Sequence, residues 1–440
     1  MDVLRKINGL FTTPVSDGAD EQNKILCAQL PFTVFKYPSG AEFNGWYVPK
    51  KWEVKKALIK KNGKVVYDGM QHPLAVIGSS QSFTGTVSLE ELKKHLFYSA
   101  EQPDNIVYHC DLYYKPFIQN WGFSMPHNQF LKLEEGDYEV ELVTEHADGE
   151  MKVLEITHQG ECEDMIIFNA HNCHAAQLND GPAGYVVFMS VMEKLLQRKT
   201  RYTYRLVVAP EHMGTVFYLA NKDPQEIKKM KLGIFMEMVG HDNPVFSLQE
   251  SFTGTSYIDK VGHHVLKHEA VGYWSAGYRK FLGNDECVWE APGYEVPMIS
   301  VSRCQSMDYL YPEYHLDSDN INLMNEGRLE ETDRIIMSMV DIIEKDCFLK
   351  RKFTGLIALS NPKYDLYISP GDDPSQRTED RAEDQKRWNE LMNHVFRYME
   401  ENMSILDIAI KHEVSFEKVY TYLVRFKEKG LVDFVYKKQF

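Results

Sequence analysis

The sequence contains no Cys-x-x-Cys pair, and its seven cysteines, Cys27, Cys110, Cys162, Cys173, Cys287, Cys304 and Cys347, are odd in number and widely scattered. That spacing argues against a disulfide framework and a zinc ribbon, and reduced thiols are the simplest reading. No apolar run approaches the ~20 residues needed to cross a bilayer. The opening stretch MDVLRKINGLFTTPVSDG lacks the apolar core and small-residue cleavage site of a secretory signal. A cytoplasmic location without a membrane partner is therefore expected. Excess positive charge is also missing. With 49 basic against 64 acidic side chains the net charge is −15, which disfavours a nucleic-acid or anionic-membrane surface across the whole chain. Repeats are absent. What remains is 440 residues, 43% hydrophobic and 26% charged, the composition of an ordinary globular protein with room for two or three domains.

Three regions differ in pattern. From about Phe43 to Asp148, short alternating stretches such as KVVYDG, HPLAVIGSS and GDYEVELVTEH predict a mostly β region with one helix at SLEELKKHLF. From about Glu155 to Asp346, apolar strands (DMIIFNA, YRLVVAP, KLGIFMEMV, VPMISVS) alternate with helical periods (AGYVVFMSVMEKLLQ, GTVFYLANK, SYIDKVGHHVLKHEA, and Leu323 to Lys345). Such alternation predicts an α/β sheet with helices on both faces. An acidic, turn-rich linker, SPGDDPSQRTEDRAEDQ, then leads to three helices and a short β-hairpin or wing at GLVDFVYKKQF.

The polar residues that carry chemistry follow the α/β strands. HNCHAAQLNDGPAG puts His171, Cys173, His174 and Asp180 after DMIIFNA; Glu211 and His212 end YRLVVAP; His315 lies in YPEYHLDSDN beyond VPMISVS. Loops at the carboxyl edge of an open α/β sheet converge, so these side chains can meet around one cation. Glu211 is suitably placed as a general base. Each residue also has a plainer role: a strand-end histidine satisfied by backbone groups, or an aspartate at a helix N-terminus. Their joint placement favours the metal. The GHHVLKHEA stretch (His263, His264, His268) lacks a glutamate base between His264 and His268 and reads as a surface helix. Cys173 is an alternative nucleophile, with His174 or His315 as its base.

The stretches AHNCHAAQLNDGPAG, YRLVVAPEHMGTVFYLA, GNDECVWEAPGYEVP and YPEYHLDSDN, in this order, resemble an aminopeptidase-like zinc hydrolase family, distantly similar to co-catalytic zinc aminopeptidases and glutaminyl cyclases. GWYVPKKWEV, VSLEELKKHL and YYKPFIQNWGF resemble that family's small inserted β domain, and the last sixty residues its winged helix. The resemblance implies a mixed-sheet aminopeptidase-like α/β domain over residues 1–42 and 149–380, an inserted β domain over 43–148, and a winged helix-turn-helix over 381–440. Members are commonly labelled only as aminopeptidase-like or as associated with polysaccharide biosynthesis. It further implies one or two zinc ions, with His171 as a ligand, Asp180 as the bridge, His315 on the other metal and Glu211 as the base. His212 stands where the co-catalytic enzymes have a carboxylate ligand and can still coordinate. The fifth ligand follows KLGIFMEMVGHD, at Glu237 or Asp242; His174 is a further candidate.

Four positions depart from the family pattern. Ala175 replaces a proline, GPAG an Asn-rich turn, Cys173 the aspartate that orients the first histidine, and Cys287 an arginine. A thiol is a poor orienting acceptor, so histidine basicity and activity are expected to fall. Arg303 is expected to be available for a substrate carboxylate, and Tyr114 and Trp121 to wall the pocket.

In the C-terminal region, SILDIAIKHEVSFEKVYTYLVRFKEKGLV has the form of a helix-turn-helix with Phe416 to Lys429 in the recognition position. From Arg381 to Phe440, eleven basic against ten acidic residues leave +1, far from a DNA reader's footprint. A protein contact is favoured, and a homo-oligomer is left open. The expected function is metal-dependent hydrolysis of an amide or peptide bond in a small-molecule or peptide substrate. The alternatives are an inactive metal-binding scaffold and a DNA-binding regulator.

Overall fold

Apolar runs bounded by turn residues form the central strands of an eight-stranded mixed sheet. The computed structural model describes residues 1–368 and 379–436, so residues 369–378 of the expected linker and the last four of the expected wing lie outside the described residues. The sheet strands are β1 (Thr33–Pro38), β2 (Glu150–His158), β3 (Met165–His171), β4 (Thr203–Ala209), β5 (Met230–Met236), β6 (Phe246–Gln249), β7 (Tyr273–Ala276) and β8 (Met298–Ser302), in the spatial order β1-β2-β4-β3-β5-β8-β6-β7. The run β4-β3-β5-β8 is parallel, with antiparallel β2 and β6 on either side. Every residue of β3 and β4 is buried, as strands covered on both faces must be.

Parallel neighbours need crossovers, and helices α1 (Pro182–Leu196) and α2 (Met213–Ala220) supply them after β3 and β4. From β3 the chain moves to β4 on one side, then to β5 on the other. The carboxyl end of β3 is thus the point where strand order reverses, the place where open α/β sheets take ligands. Register sets the same level across that edge: His171 pairs with Ala209, and Asn169 with Phe235. Gly184, in the first turn of α1, is required there, since a Cβ would meet the Met236 carbonyl oxygen at 2.0 Å.

The chain forms two compact units, Met1–Ile258 with Val271–Arg334, and Asp259–Ala270 with Ile335–Phe440. Within the first, Lys64–Asp68, Lys51–Lys61, Asp137–Ala147 and Phe83–Ser88 make a four-stranded antiparallel sheet, in that order. It packs around Trp52, Ile59, Tyr67, Phe123 and Leu142. HPLAVIGSS forms turns, with one isolated bridge from Val76 to Phe123, and SLEELKKHLF shortens to Leu89–Lys93.

The second unit contains most of helix α3 (Tyr257–Glu269), the later part of α4 (Glu326–Lys345), and the strands β9 (Phe348–Arg351), β10 (Glu400–Ser404) and β11 (Val432–Val435). Between β10 and β11 run α5 (Ile405–His412) and α6 (Phe416–Glu428). Ser404 and Asp407 form a reciprocal capping box at the start of α5. The expected boundary at residue 381 falls inside helix Glu379–His394, and the compact unit that holds this helix also takes in Asp259–Ala270 and the chain from Ile335 onward. The reason is long-range: β9 pairs with both β10 and β11. GLVDFVYKKQF accordingly contributes a single strand against β9 over its described part. Among the described residues no helix is long and apolar enough to cross a membrane.

Candidate metal centre

The carboxyl edge of β3, β4 and β5 gathers a buried ring of imidazoles and carboxylates. His171 ends β3, Glu237 directly follows β5, and Asp180 lies in the loop leading to α1. His171 Nε2 is 2.7 Å from Glu237 Oε2 and 3.1 Å from Asp180 Oδ1. On the other side of the same aspartate, Asp180 Oδ2 is 3.1 Å from His315 Nε2 and 3.9 Å from His174 Nε2. Two donor triads therefore share Asp180, one of His171, Asp180 and Glu237, the other of His174, Asp180 and His315. Glu211, two residues past β4, stands alongside, with Oε2 3.5 Å from His174 Nε2.

The loops are held by groups outside this ring. Asp319 accepts the backbone N–H groups of Leu178, Asn179 and Asp180 and the hydroxyl of Tyr311, fixing the Asp180 loop on the segment that carries His315. Asn284 donates to Glu237 Oε2 at 2.7 Å. Asp285 accepts the His212 backbone N–H and the Thr215 hydroxyl. Gly181 has φ +98°, and a Cβ there would come within 2.9 Å of His171 Nδ1, so the turn leaves room only for hydrogen. His212 and His315 themselves take left-handed backbone, at φ +51° and +57°, a strain that aims side chains rather than stabilising the loops.

Electrostatics follow burial. Burial alone would depress His171, but its contacts with Asp180 and Glu237 outweigh that and hold it well above the ordinary histidine value. Burial dominates at His174, held well below it. Asp180 is pushed up by burial, yet the surrounding imidazoles bring it well below the carboxylate range. Burial raises Glu211 to about 8, and it raises the Cys173 thiol, which disfavours the thiolate that a nucleophilic Cys173 needs. The Cys173 sulfur accepts the Glu211 backbone N–H at 3.2 Å, and the same thiol interacts with the His171 ring.

Whether a divalent cation suits this set is answered by its orphaned atoms. Asp180 Oδ2, Glu237 Oε1 and His315 Nε2 are all buried without a hydrogen-bond partner, an arrangement costly for polar groups unless a cation is to be bound. Nitrogen and carboxylate oxygen donors are those zinc takes. The residues fit the ion.

Several expected site residues stand elsewhere. His212 lies outside both triads, with its ring stacked on Trp46 at 6.0 Å, yet its Nδ1 is 3.8 Å from Glu211 Oε1 at the edge of the centre; His174 stands beside Asp180. Asp242 is a surface residue engaged with Arg328 and Asn325, since one turn beyond the strand end carries it past the ring that Glu237 joins. Arg303 is fully buried, bonded to Glu331, Thr332 and the Asn243 carbonyl and stacked on Phe246, so its guanidinium is out of reach of a substrate carboxylate. Trp121 is sandwiched between Phe83 and His95 in the small sheet's core. Burial raises the Tyr114 hydroxyl well above its ordinary value, and Cys173 and Glu211 add to that. Its companions were not foreseen: Tyr108 packs on His174 and His315, and Tyr314 stacks on His315 at 3.9 Å. YPEYHLDSDN carried the only sequence signal for Tyr314 and Asp319, their closeness to His315.

A family model described as "Domain of unknown function (DUF4910)" matches residues 3–346. A Clostridium acetobutylicum protein, provisionally named a polysaccharide biosynthesis protein with aminopeptidase-like domain, is 29% identical over 95% of this chain and 92% of its own. The crystal structure of a provisionally assigned peptidase from the same organism superposes with TM-score 0.81 at 24% identity, covering 99% of this chain and 95% of that one. A zinc aminopeptidase from Bacillus subtilis gives TM-score 0.57 at 10% identity, over 77% of this chain and 93% of its own. These structural likenesses establish a shared fold.

Proposed function

The chain belongs to the family described as Domain of unknown function (DUF4910), and from that footing we propose that it is a zinc-dependent hydrolase of an amide or peptide bond, aminopeptidase-like in mechanism. One observation carries the reading: Asp180 stands between two triads at the strand-order reversal, with Glu211 at 3.5 Å from His174. His171, Asp180 and Glu237 would hold one zinc ion, and His174, Asp180 and His315 a second. A divalent ion there supplies Lewis acidity, polarising the scissile carbonyl and making a water easier to deprotonate. Glu211 takes that water's proton on its carboxylate as the C–O bond forms, and returns it to the leaving nitrogen as the C–N bond breaks. Its buried setting favours carrying the proton between the two steps. Tyr108, Tyr114 and Tyr314 exclude water and offer apolar faces with hydroxyl edges to the substrate. The likeness in name to polysaccharide biosynthesis proteins extends the substrate classes worth testing from peptides to N-acylated sugars.

A second reading, a metal-holding scaffold without turnover, is supported by Cys173, whose thiol stands beside the His171 ring and is a poor orienting acceptor, a change that weakens activity. Elemental analysis of the purified chain, followed by a screen of aminoacyl amides, N-acyl amino acids and N-acylated sugars, separates the two. Bound zinc with cleavage supports the hydrolase, and bound zinc with no cleavage supports the scaffold.

We also read the order β10-α5-α6-β11 as a winged helix-turn-helix and the four-stranded sheet as an inserted β domain. The near-neutral charge of the C-terminal region assigns the former to a protein contact. Salt-sensitive binding of the full chain to duplex DNA would overturn that assignment.

A further inference from the structure

The second unit holds a cluster that the proposed hydrolase does not use. Glu390 and His394 stand four residues apart in the last turns of helix Glu379–His394, so they share a face. His412 is the final residue of α5. One donor atom from each of the three lies within 4.8 Å of the other two. Glu390 and His394 are exposed, whereas His412 is only 4% exposed and its Nδ1 is buried with no hydrogen-bond partner. Its Nε2 is 2.9 Å from the Tyr398 hydroxyl oxygen. This hydrogen bond can run in either direction; with a cation on Nδ1 the ring donates its Nε2–H to the hydroxyl oxygen, which then orients the imidazole.

The surroundings suit a cation. Both helices end at the cluster, and helix C-termini carry negative partial charge. Lys411 lies over the Tyr398 ring at 5.1 Å from its centroid, and Arg387, one turn before Glu390, is paired with Glu413. An ion held at ~2.0–2.1 Å from each donor needs them roughly 3–3.5 Å apart, within the 4.8 Å bound on their separations, and two of the three are exposed side chains that can adjust to it. We propose that Glu390, His394 and His412 form a binding site for a divalent transition-metal ion of the zinc type, distinct from the Asp180 centre, which clips helix Glu379–His394 to α5. Two imidazoles and one carboxylate select zinc and its late first-row neighbours over magnesium and calcium. Leu391 and Met392 already bury the last two turns of the helix and Trp388 packs edge-on against Tyr422; the ion would add a tie between the helix end and the end of α5.

The test uses the full chain stripped of metal and titrated with Zn2+ by calorimetry, with hydrogen exchange followed over residues 385–394. The parent is expected to bind one more equivalent than His394→Ala or Glu390→Ala, both exposed positions whose loss leaves packing unchanged. Zn2+ should slow exchange of the helix in the parent and in Asp180→Ala, and not in the two variants. Tyr398→Phe should weaken this equivalent by about 10–100-fold. Equal Zn2+ stoichiometry, affinity and exchange protection in the parent, Glu390→Ala and His394→Ala would overturn the proposal. Failure of the Asp180 centre to bind metal would not affect it, since the two losses are read in different variants.

Discussion

Asp180 Oδ2 lies 3.1 Å from His315 Nε2, both atoms buried, and neither has a hydrogen-bond partner. Two polar atoms face each other at contact distance without a well-formed hydrogen bond, and a cation between them relieves both. Asp180→Ala is therefore expected to remove nearly all bound metal, because both triads lose their common member. His174→Ala and His315→Ala should each lower metal content, and His212→Ala should leave it near the parent level. Elemental analysis of the purified variants decides; full metal in both Asp180→Ala and His315→Ala would sink the assignment.

Glu211 contributes to neither triad, so Glu211→Gln should keep the metal. Loss of a general base lowers turnover by about a hundred- to ten-thousand-fold. The comparison is made on whichever amide the parent cleaves, with kcat and KM measured separately. A drop confined to kcat fits a base, and undiminished turnover in the glutamine variant removes Glu211 from the chemistry.

The central strands were legible because each is a short apolar run with turn residues at both ends, and burial on both faces leaves that pattern no competitor. His171, Asp180, Glu211 and His315 could be singled out for the same reason, since they follow those runs. What local pattern could not supply was the choice between near neighbours. Glu237 rather than Asp242 is decided by the β3/β5 register, which puts residue 237 level with His171. His174 stands beside Asp180 while the His212 ring lies on Trp46, far from it in sequence, a long-range contact that local pattern does not carry. Arg303 looked available only because Glu331, 28 residues on, carries no sequence sign of being its partner. The start of the second unit was hidden in the same way, as β9 is four unremarkable residues until its two partner strands arrive.

Arg303 tests the difference between a structural and a substrate-binding arginine. Its guanidinium is fully buried and paired with Glu331 at 2.9 Å. Removing one partner of a buried pair typically costs about 3–5 kcal/mol. Arg303→Ala should therefore unfold at clearly lower denaturant concentration, while any folded fraction keeps its metal and its KM. An unchanged midpoint together with a raised KM would restore Arg303 to the substrate.

His264 gives the second unit a dependence on pH. It is 5% exposed, and its Nε2 accepts the Phe416 backbone N–H at 2.9 Å, satisfying an otherwise orphaned donor at the start of α6. The expected surface histidine is thus a buried acceptor, which works only while neutral. Burial lowers its pKa to about 3, whereas in the unfolded chain it titrates near 6.5. Between those values the unfolded chain binds more protons than the folded one, so stability rises with pH. The contribution is complete above about pH 6.5 and is lost as pH falls, by up to about 2 kcal/mol at pH 5. His264→Gln keeps an acceptor oxygen without a titrating ring. Thermal unfolding of the parent and this variant at pH 7 and pH 5 isolates the effect from the neighbouring His268 and His412. The parent should lose more stability on acidification than the variant, and equal losses would show that His264 is not the titrating group.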